Sequence, residues 1–590
     1  MRWLDVLYAK ACRWAGGFKA LRRAKFGSDE LRENLELVGL EVQPDEVVAL
    51  SLLALLASAL LAAAVIAACL TFDRPIIILA ALPLPPLAFV SVGWYPSWRA
   101  ERERVRGLGE VPILISYMSM SMKISPNLER SASFAAECID GPLGRSLREA
   151  LMHVYLRAAA DVSEALERFG RRWGRWCGGL KRSLYLIGGS AAERSETNRF
   201  HLLDKAVEVS FEGVREQMQD FASGLQLSTS VVYSIGVLLP LALLAVLPVL
   251  ATVDVRIDVW EVAAIYCVLL PAAVYALSRR VLSRRPVAFP VPSAPAAARG
   301  ARAGLLASAL GAMPVLAGFL LGTGDARALS CLWGISIGVA AYLHLSCAEA
   351  YEWRARVERM EEEFCDSLVQ LGNRIAEGKP AEEAFESVAS LMRGAEISRL
   401  FSRVSANIKF GGMGLRKALF DEEHGALHEV RSRTIEATMR LLVEVIERSN
   451  RAAGEAVLRM ADHLKAMRRL ELEVRHSLGE VAASMRSVAL FFAPLIASVT
   501  ARLQLALSSK ASSIPFLSSG QSLSPPSFLL VLGVYVLLLT MILLSCAVEI
   551  SVVEVSLKKR VIIARALPIA MAVFTVGALV SGQFVAALVG

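Results

Sequence analysis

Residues 231–253 read VVYSIGVLLPLALLAVLPVLATV without one charged side chain, and a second apolar run, VWEVAAIYCVLLPAAVYAL, follows at 259–277. A helix crosses the hydrocarbon core of a bilayer with ~20 predominantly apolar residues, so each run reads as a membrane span. Seven further stretches qualify, at 47–70, 75–95, 304–322, 329–347, 487–507, 528–548 and 566–588. The 75–95 stretch carries Pro83, Pro85 and Pro86, whose missing N–H groups predict lost backbone bonds that neighbouring helices must repair. Over 590 residues the chain is 55% hydrophobic and only 20% charged, with a mean hydropathy of +0.48. That balance excludes a purely soluble enzyme.

Two polar stretches of similar length, 98–230 and 349–486, separate the apolar blocks. Both are rich in Glu, Arg and Ala and nearly free of strand-like alternation, so both read as bundles of amphipathic helices. The expected organisation is a basic amphipathic segment (1–46), spans 1–2 (47–97), the first bundle (98–230), spans 3–4 (231–278), a basic loop (279–303), spans 5–6 (304–348), the second bundle (349–486), spans 7–8 (487–548), a linker (549–565) and span 9 (566–590). Arg279, Arg280, Arg284, Arg285, Arg299 and Arg302 share a loop without acids, which places that loop inside. Threading nine spans through it puts both bundles in the cytoplasm and the C-terminus outside the cell membrane. The net charge of +8 follows from the same topological bias and is weak evidence about partners.

Chemical motifs are scarce. Nine cysteines occur singly, without a CxxC pair, so neither a zinc site nor a disulfide framework is expected. Gly378-Lys379-Pro380 lacks the preceding glycine and following hydroxyl of a phosphate loop, and Gly411-Gly412-x-Gly414 has no strand before it, so a helix-start turn explains it. His424 and His428 have i,i+4 spacing on a presumed helix, with Glu422 and Glu423 nearby, but no third ligand, so a solvated face accounts for them. No catalytic residue, metal site or cofactor is expected. Arg168, Arg171, Arg172, Trp173, Arg175, Trp176, Lys181 and Arg182 mix cations with aromatics as single-strand binders do, but contact with lipid or an acidic partner suits a tethered domain better than nucleic acid. Leu4, Leu7, Ala11, Trp14, Phe18 and Leu21 form one stripe on a basic helix, as in helices that lie on the inner leaflet.

At one fixed offset the two polar stretches pair Glu110 with Glu363, Glu129 with Glu382, Ala136 with Ala389, Gly141 with Gly394 and Leu147 with Leu400. The same events recur in order, and the span after each bundle carries a proline, in Leu238-Leu239-Pro240 and Phe491-Phe492-Ala493-Pro494. A duplicated helical domain followed by membrane helices is the expected repeat. The strings Leu128-Glu129-Arg130-Ser131-Ala132, Gly141-Pro142-Leu143 and Ser163-Glu164-Ala165-Leu166, with Ala381-Glu382-Glu383-Ala384-Phe385 and Arg416-Lys417-Ala418-Leu419, resemble the F domain of type II secretion and type IV pilus platform proteins. The resemblance covers roughly 105–250 and 360–505, and nine spans with an extra pair before the first domain look like the archaeal platforms of archaella and adhesive pili. A charged helical stalk at 465–485 reads as extra turns that the first domain lacks.

The resemblance implies an all-α polytopic membrane protein with about nine transmembrane helices and two homologous cytoplasmic helical-bundle (F-type) domains, and no enzymatic activity of its own. Implied partners are a separate hexameric secretion ATPase, pilin or archaellin subunits, membrane lipids and a second copy of the chain as a homodimer, without nucleic acid. ATPase contact is expected at Arg171, Arg172 and Arg175 in the first bundle and at Lys409, Arg416 and Lys417 in the second. The rival readings are a transporter or channel, marked by mid-depth charges or discontinuous helices, and a membrane-bound signalling scaffold. Glu261, His344, Glu349 and Arg502 all fall near span ends, which weakens the transporter reading.

Overall fold

The computed structural model describes residues 2–17, 29–71, 84–243, 259–283, 298–511, 525–551 and 555–589, apart from Glu41, Thr323, Glu429, Arg431 and Ser449. All regular structure among them is helical. Helices α1 (Arg2–Gly16), α2 (Asp29–Val38), α3 (Pro44–Thr71) and α4 (Leu84–Ile124) come first. The first polar stretch holds α5 (Leu128–Cys138), α6 (Pro142–Tyr155), α7 (Val162–Gly174), α8 (Gly178–Ala192) and α9 (Glu196–Tyr233). Apolar helices α10 (Val259–Ala264), α11 (Leu270–Ser283), α12 (Ala298–Ser308) and α13 (Ala312–Leu321) lead to α14 (Gly324–Ala376). Then come α15 (Ala381–Leu391), α16 (Glu396–Lys409), α17 (Leu415–Phe420), α18 (Arg433–Arg448), α19 (Asn450–Ser487), α20 (Ala493–Ala511), α21 (Pro525–Ser551) and α22 (Val555–Val589).

Eight helices among the described residues are long and apolar enough to cross a membrane, so the chain is an all-α polytopic membrane protein. The ninth expected span, 75–95, lies partly outside the described residues, and Arg284, Arg285 and the stripe positions Phe18 and Leu21 lie wholly outside them. Of that span's three prolines, Pro85 and Pro86 lie on α4 (Leu84–Ile124), and Pro83 lies outside the described residues. Several expected segment boundaries also vanish into continuous helices. The boundary at 97/98 falls inside α4, that at 348/349 inside the 53-residue α14, and the basic triplet of the 549–565 linker lies on α22.

Residues 1–108 form one compact unit. There α1 packs through Cys12 against Leu35 and Val47, and Tyr8 Oη donates to the Val92 carbonyl at 2.9 Å. Asp5 accepts from Tyr95 at 2.8 Å and pairs with Arg99 at 3.3 Å. This leaves Val6, Leu7, Lys10, Arg13 and Trp14 exposed on the opposite face, Leu7 and Trp14 of the expected stripe among them.

Residues 109–590 form the second unit. Within it, α15 and α17 start at the offset that pairs Glu110 with Glu363, and α16, α18 and α19 start within two residues of it. A side-chain cap recurs as well. Glu110 on α4 accepts the Leu143 N–H at 3.1 Å at the start of α6, and Glu363 on α14 accepts the Ile397 N–H at 3.0 Å at the start of α16. A carboxylate aimed at orphan N–H groups satisfies donors that the helix itself cannot. Gly141 makes room for the first cap, because a Cβ there would lie 1.3 Å from Glu110 Oε1. The carbonyls of Ala136 and Ala389 also each accept a side-chain donor from the next helix, from Arg148 and Ser398. The extra stalk expected at 465–485 does not exist, since α9 and α19 both have 38 residues. The first bundle's counterpart is simply as long, its polar half being read as part of the compact domain.

The two bundles pack on each other through α9 and α19. Arg459 stacks over Phe200 at 4.4 Å, Arg215 pairs with Glu473 at 2.7 Å, and Tyr233 Oη meets Ser484 Oγ at 3.3 Å. These pairs advance in the same direction along both chains, so the helices run parallel. Arg130 and Glu444 add an ion pair at 2.5 Å, and Asp140 pairs with Arg433. His463 of α19 is buried beside the Lys123–Asp204 pair, and its Nε2 has no hydrogen-bond partner. Burial first, and the Lys123 charge second, push its imidazole down from 6.5 to about 4, with Asp204 opposing weakly.

Between those two values the unfolded chain carries a proton that the folded chain does not, so stability must fall as pH drops through this window and be unaffected above it. Thermal unfolding in detergent across pH 4 to 7 is expected to show this decline, and His463→Gln to remove that component of the slope. Parallel pH curves for the two proteins would refute it.

Candidate coupling site

Helix α9 continues through a π-helical turn, Ser234–Leu238, into an apolar stretch, and α19 continues through a second, Val488–Phe492, into α20. A third π turn, Ile265–Leu269, joins α10 to α11. Each ends two residues before a proline: Pro240, Pro494 and Pro271. Proline has no N–H and its ring crowds the carbonyl four residues back, so a wider turn relieves the clash and leaves carbonyls without their ordinary donors.

Hydroxyls supply the missing donors. Tyr535 Oη of α21 donates to the Gly236 carbonyl, the acceptor that the N–H of an ordinary residue 240 would have used. Thr540 Oγ1, one and a half turns further along α21, donates to the Ala489 carbonyl at 3.1 Å in the second bulge. Tyr266, in the third bulge, donates to the Pro240 carbonyl at 2.7 Å and stacks edge-on with Tyr535 at 5.6 Å. One buried helix thus clasps the bulges of both long helices. Gly236 lets α21 approach, since a Cβ there would lie 3.0 Å from Leu539.

A charged layer ties the polar ends of the same helices. Glu358 of α14 accepts Lys558 of α22 at 2.8 Å and Arg475 of α19 at 3.2 Å. Partial burial pushes the Glu358 carboxyl up, but the two cations outweigh burial and hold it below the usual carboxylate range. Glu549 of α21 pairs with Lys559 at 2.8 Å and with Arg279 of α11 at 3.6 Å. At the far end, Arg502 of α20 pairs with Asp325 of α14 at 2.7 Å and donates to the Ala578 carbonyl of α22 at 3.1 Å.

The six basic residues expected to meet a partner are all on bundle surfaces, but several already have acidic neighbours. Arg171 pairs with Glu167 at 3.3 Å, Lys409 with Glu386, and Arg416 with Glu447 at 2.8 Å. Arg172 and Lys417 are exposed, and Arg175 caps α7. The structure does not bring the two trios to equivalent places: one ends α7, while the other flanks the turn between α16 and α17. Trp173 is fully buried and donates to Ser146 Oγ at 3.0 Å, so it is core and cannot stack on a base. Gly411 to Gly414 form a turn, with Gly412 at φ +61° and Gly414 capping α17. His424 and His428 do not share an α-helix as their spacing suggested, because a turn and the single 3-10 turn Ala426–His428 intervene. Among the described residues no group of three or more His, Cys, Asp or Glu converges.

Sequence reading found both prolines but neither hydroxyl that repairs them. Tyr535 and Thr540 lie in an unbroken apolar run whose partners are remote in sequence, and only a polar group with no local role could have marked them.

Deleting either hydroxyl strands a carbonyl in apolar surroundings. Tyr535→Phe and Thr540→Val are each expected to lower stability in mixed micelles by about 0.6–2 kcal/mol, the range of interhelical hydrogen bonds in membranes. Tyr185→Phe, on an exposed face of α8, is expected to change nothing. Equal stability of all three variants and the parent would contradict the clasp.

Comparison of this chain with family models, with curated proteins and with solved structures returns no match.

Proposed function

We propose that this chain is the membrane platform of an archaeal type IV pilus-like machine, an adhesive pilus, archaellum or type II secretion-like system. In this reading the two bundles are homologous F-type domains in the cytoplasm, the chain crosses the cell membrane nine times, and its C-terminus lies outside. It hydrolyses no nucleotide. A separate hexameric ATPase docks on the bundles, and its motion passes into the membrane to extract pilin or archaellin subunits and assemble them.

One observation carries the proposal: two bundles with the same order of helices and the same Glu cap each deliver a long helix, through a π turn and a proline, onto one shared membrane helix. Such a layout suits transmission of displacement better than passage of a solute. A transporter with discontinuous helices would leave the freed carbonyls available to coordinate an ion. Here the Gly236 and Ala489 carbonyls are occupied by hydroxyls.

Two measurements test this. Deleting the gene is expected to abolish a class of surface filaments, with restoration by the intact chain; an unchanged filament complement would refute the function. In intact cells, a membrane-impermeant thiol reagent is expected to spare cysteines placed at exposed Ser195 and Ser402 and to label one at Ser518. Labelling of either bundle from outside would overturn the topology.

A further inference from the structure

Both ends of α1 are tied to the polar ends of two apolar helices. Asp5 pairs with Arg99 on α4, and Gly16 lies against Glu46 on α3, where a Cβ would come within 2.8 Å of the Glu46 Cγ. Apolar runs begin beside both acceptors, at Val47 on α3 and, read backwards, at Trp98 on α4. Asp5 and Gly16 are about 16 Å apart along α1, at a rise of 1.5 Å per residue. The hydrocarbon core is ~30 Å thick, so both polar ends lie at one boundary of the bilayer. Depth follows from the approach of Gly93 to Ser51, whose Oγ would lie 3.2 Å from a Cβ there. Glu46 stands five residues to the polar side of that approach and Arg99 six, so α1 begins and ends at nearly one depth. It therefore lies across the two spans, in the plane of the boundary.

The face left open there carries two kinds of group. Val6, Leu7 and Trp14 are 53, 52 and 66% exposed, and Lys10 and Arg13 are exposed beside them. At about 100° per residue, the order round the helix is Arg13, Val6, Lys10, Trp14, Leu7. The cations thus share one edge, with Val6 between them, and Trp14 and Leu7 share the other. Among the described residues neither Lys10 nor Arg13 pairs with an acid. The acids of this unit that α1 approaches are already engaged, Asp5 by Tyr95 and Arg99, and Glu103 by Arg99. Trp94, next to the Gly93 contact, is 54% exposed at the same depth, where amphipathic rings collect in membranes.

We propose that α1 is a lipid-binding helix selective for anionic phospholipid, with Lys10 and Arg13 holding the phosphate-bearing headgroup while Leu7, Trp14 and Val6 enter the acyl boundary. Lipid is the occupant that this depth supplies, and a split of cations from large apolar side chains is how a helix meets headgroups on one edge and acyl chains on the other. The two cations set the sign of the headgroup. The helix is also fixed before lipid arrives, by the Asp5–Arg99 pair, the Tyr8 bond to the Val92 carbonyl and the packing of Cys12 on Val47. Its cations are therefore presented in place, with little ordering left to do. The assignment needs only the spans and stands apart from the platform reading.

The test places a bimane fluorophore at Leu7→Cys in the full chain, with fully buried Cys12 kept and the other cysteines replaced. The protein is reconstituted in phosphatidylcholine vesicles containing either phosphatidylglycerol or phosphatidylcholine spin-labelled on the acyl chain, at equal mole fraction. Phosphatidylglycerol is expected to associate at Leu7 about fivefold or more in preference to phosphatidylcholine. Lys10→Gln combined with Arg13→Gln is expected to bring that ratio close to one, with quenching by phosphatidylcholine retained. Leu60→Cys, exposed on α3, is expected to be quenched alike by both lipids, in the parent and in the double variant. No quenching at Leu7 by either lipid would show that protein or water covers α1 and would overturn the proposal. Equal quenching by both lipids in the parent, or a preference that survives the double variant, would overturn the headgroup site. An equal preference at Leu60 would assign the selectivity to the protein as a whole and refute the role of α1.

Discussion

Pro240 and Pro494 sit just beyond the two 38-residue helices of the bundles, where the chain enters apolar surroundings, and each removes a donor that nothing in its own helix can replace. In water such a loss is minor, because solvent fills the vacancy. In hydrocarbon an unsatisfied carbonyl costs several kcal/mol, so the chain must bring a donor to each site. Tyr535 and Thr540 meet that demand from one helix, and this fixes where α21 lies and how close α9 and α19 approach it. The clasp's net contribution is modest by comparison with the penalty it avoids. Its importance is geometric: two bends are locked to one axis.

Everything polar then hangs from long, continuous helices. At a rise of 1.5 Å per residue, α14 is about 80 Å long and α9 and α19 about 57 Å each. With the π turns and apolar stretches that continue α9 and α19, each is too long to be a span alone and too apolar at one end to be a bundle helix alone. Because α9 and α19 run parallel and are joined by an ion pair, a cation–ring contact and a hydroxyl pair spaced along their length, one cannot tilt without loading the other. The Glu358 layer adds a third tie, from α14 to α19 and α22, where Lys558 and Arg475 keep the carboxylate charged.

Much of this fold is legible in the sequence. Long apolar runs carry their own length criterion, so the spans at 259–277, 487–507 and 528–548 are plain. Glu110 and Glu363 stand out as matched acids in apolar helices, and the structure gives them a matched role as caps. Boundaries fare worse. A helix has the same period on either side of a membrane interface, so nothing local reveals that 348/349 or 230/231 is mid-helix. The supposed stalk at 465–485 misled for that reason, since a strongly charged surface looked like an addition when it is the counterpart of α9. The acids that pair with Lys409 and Arg416, Glu386 and Glu447, come from other helices, so those pairings were not legible in the local sequence.

The central claim is that displacement of the bundles reaches the membrane through the clasp and is not absorbed at the bulges. Pulsed electron–electron resonance can follow it with two spin-label pairs in a cysteine-free background. One pair, at Glu208 and Glu455, reports on the polar lengths of α9 and α19; the other, at Leu243 and Leu503, reports beyond the prolines. With the proposed partner, a hexameric secretion ATPase, bound and its nucleotide state changed, both distance distributions are expected to shift together. A shift of the polar pair with the membrane pair unmoved would contradict the account.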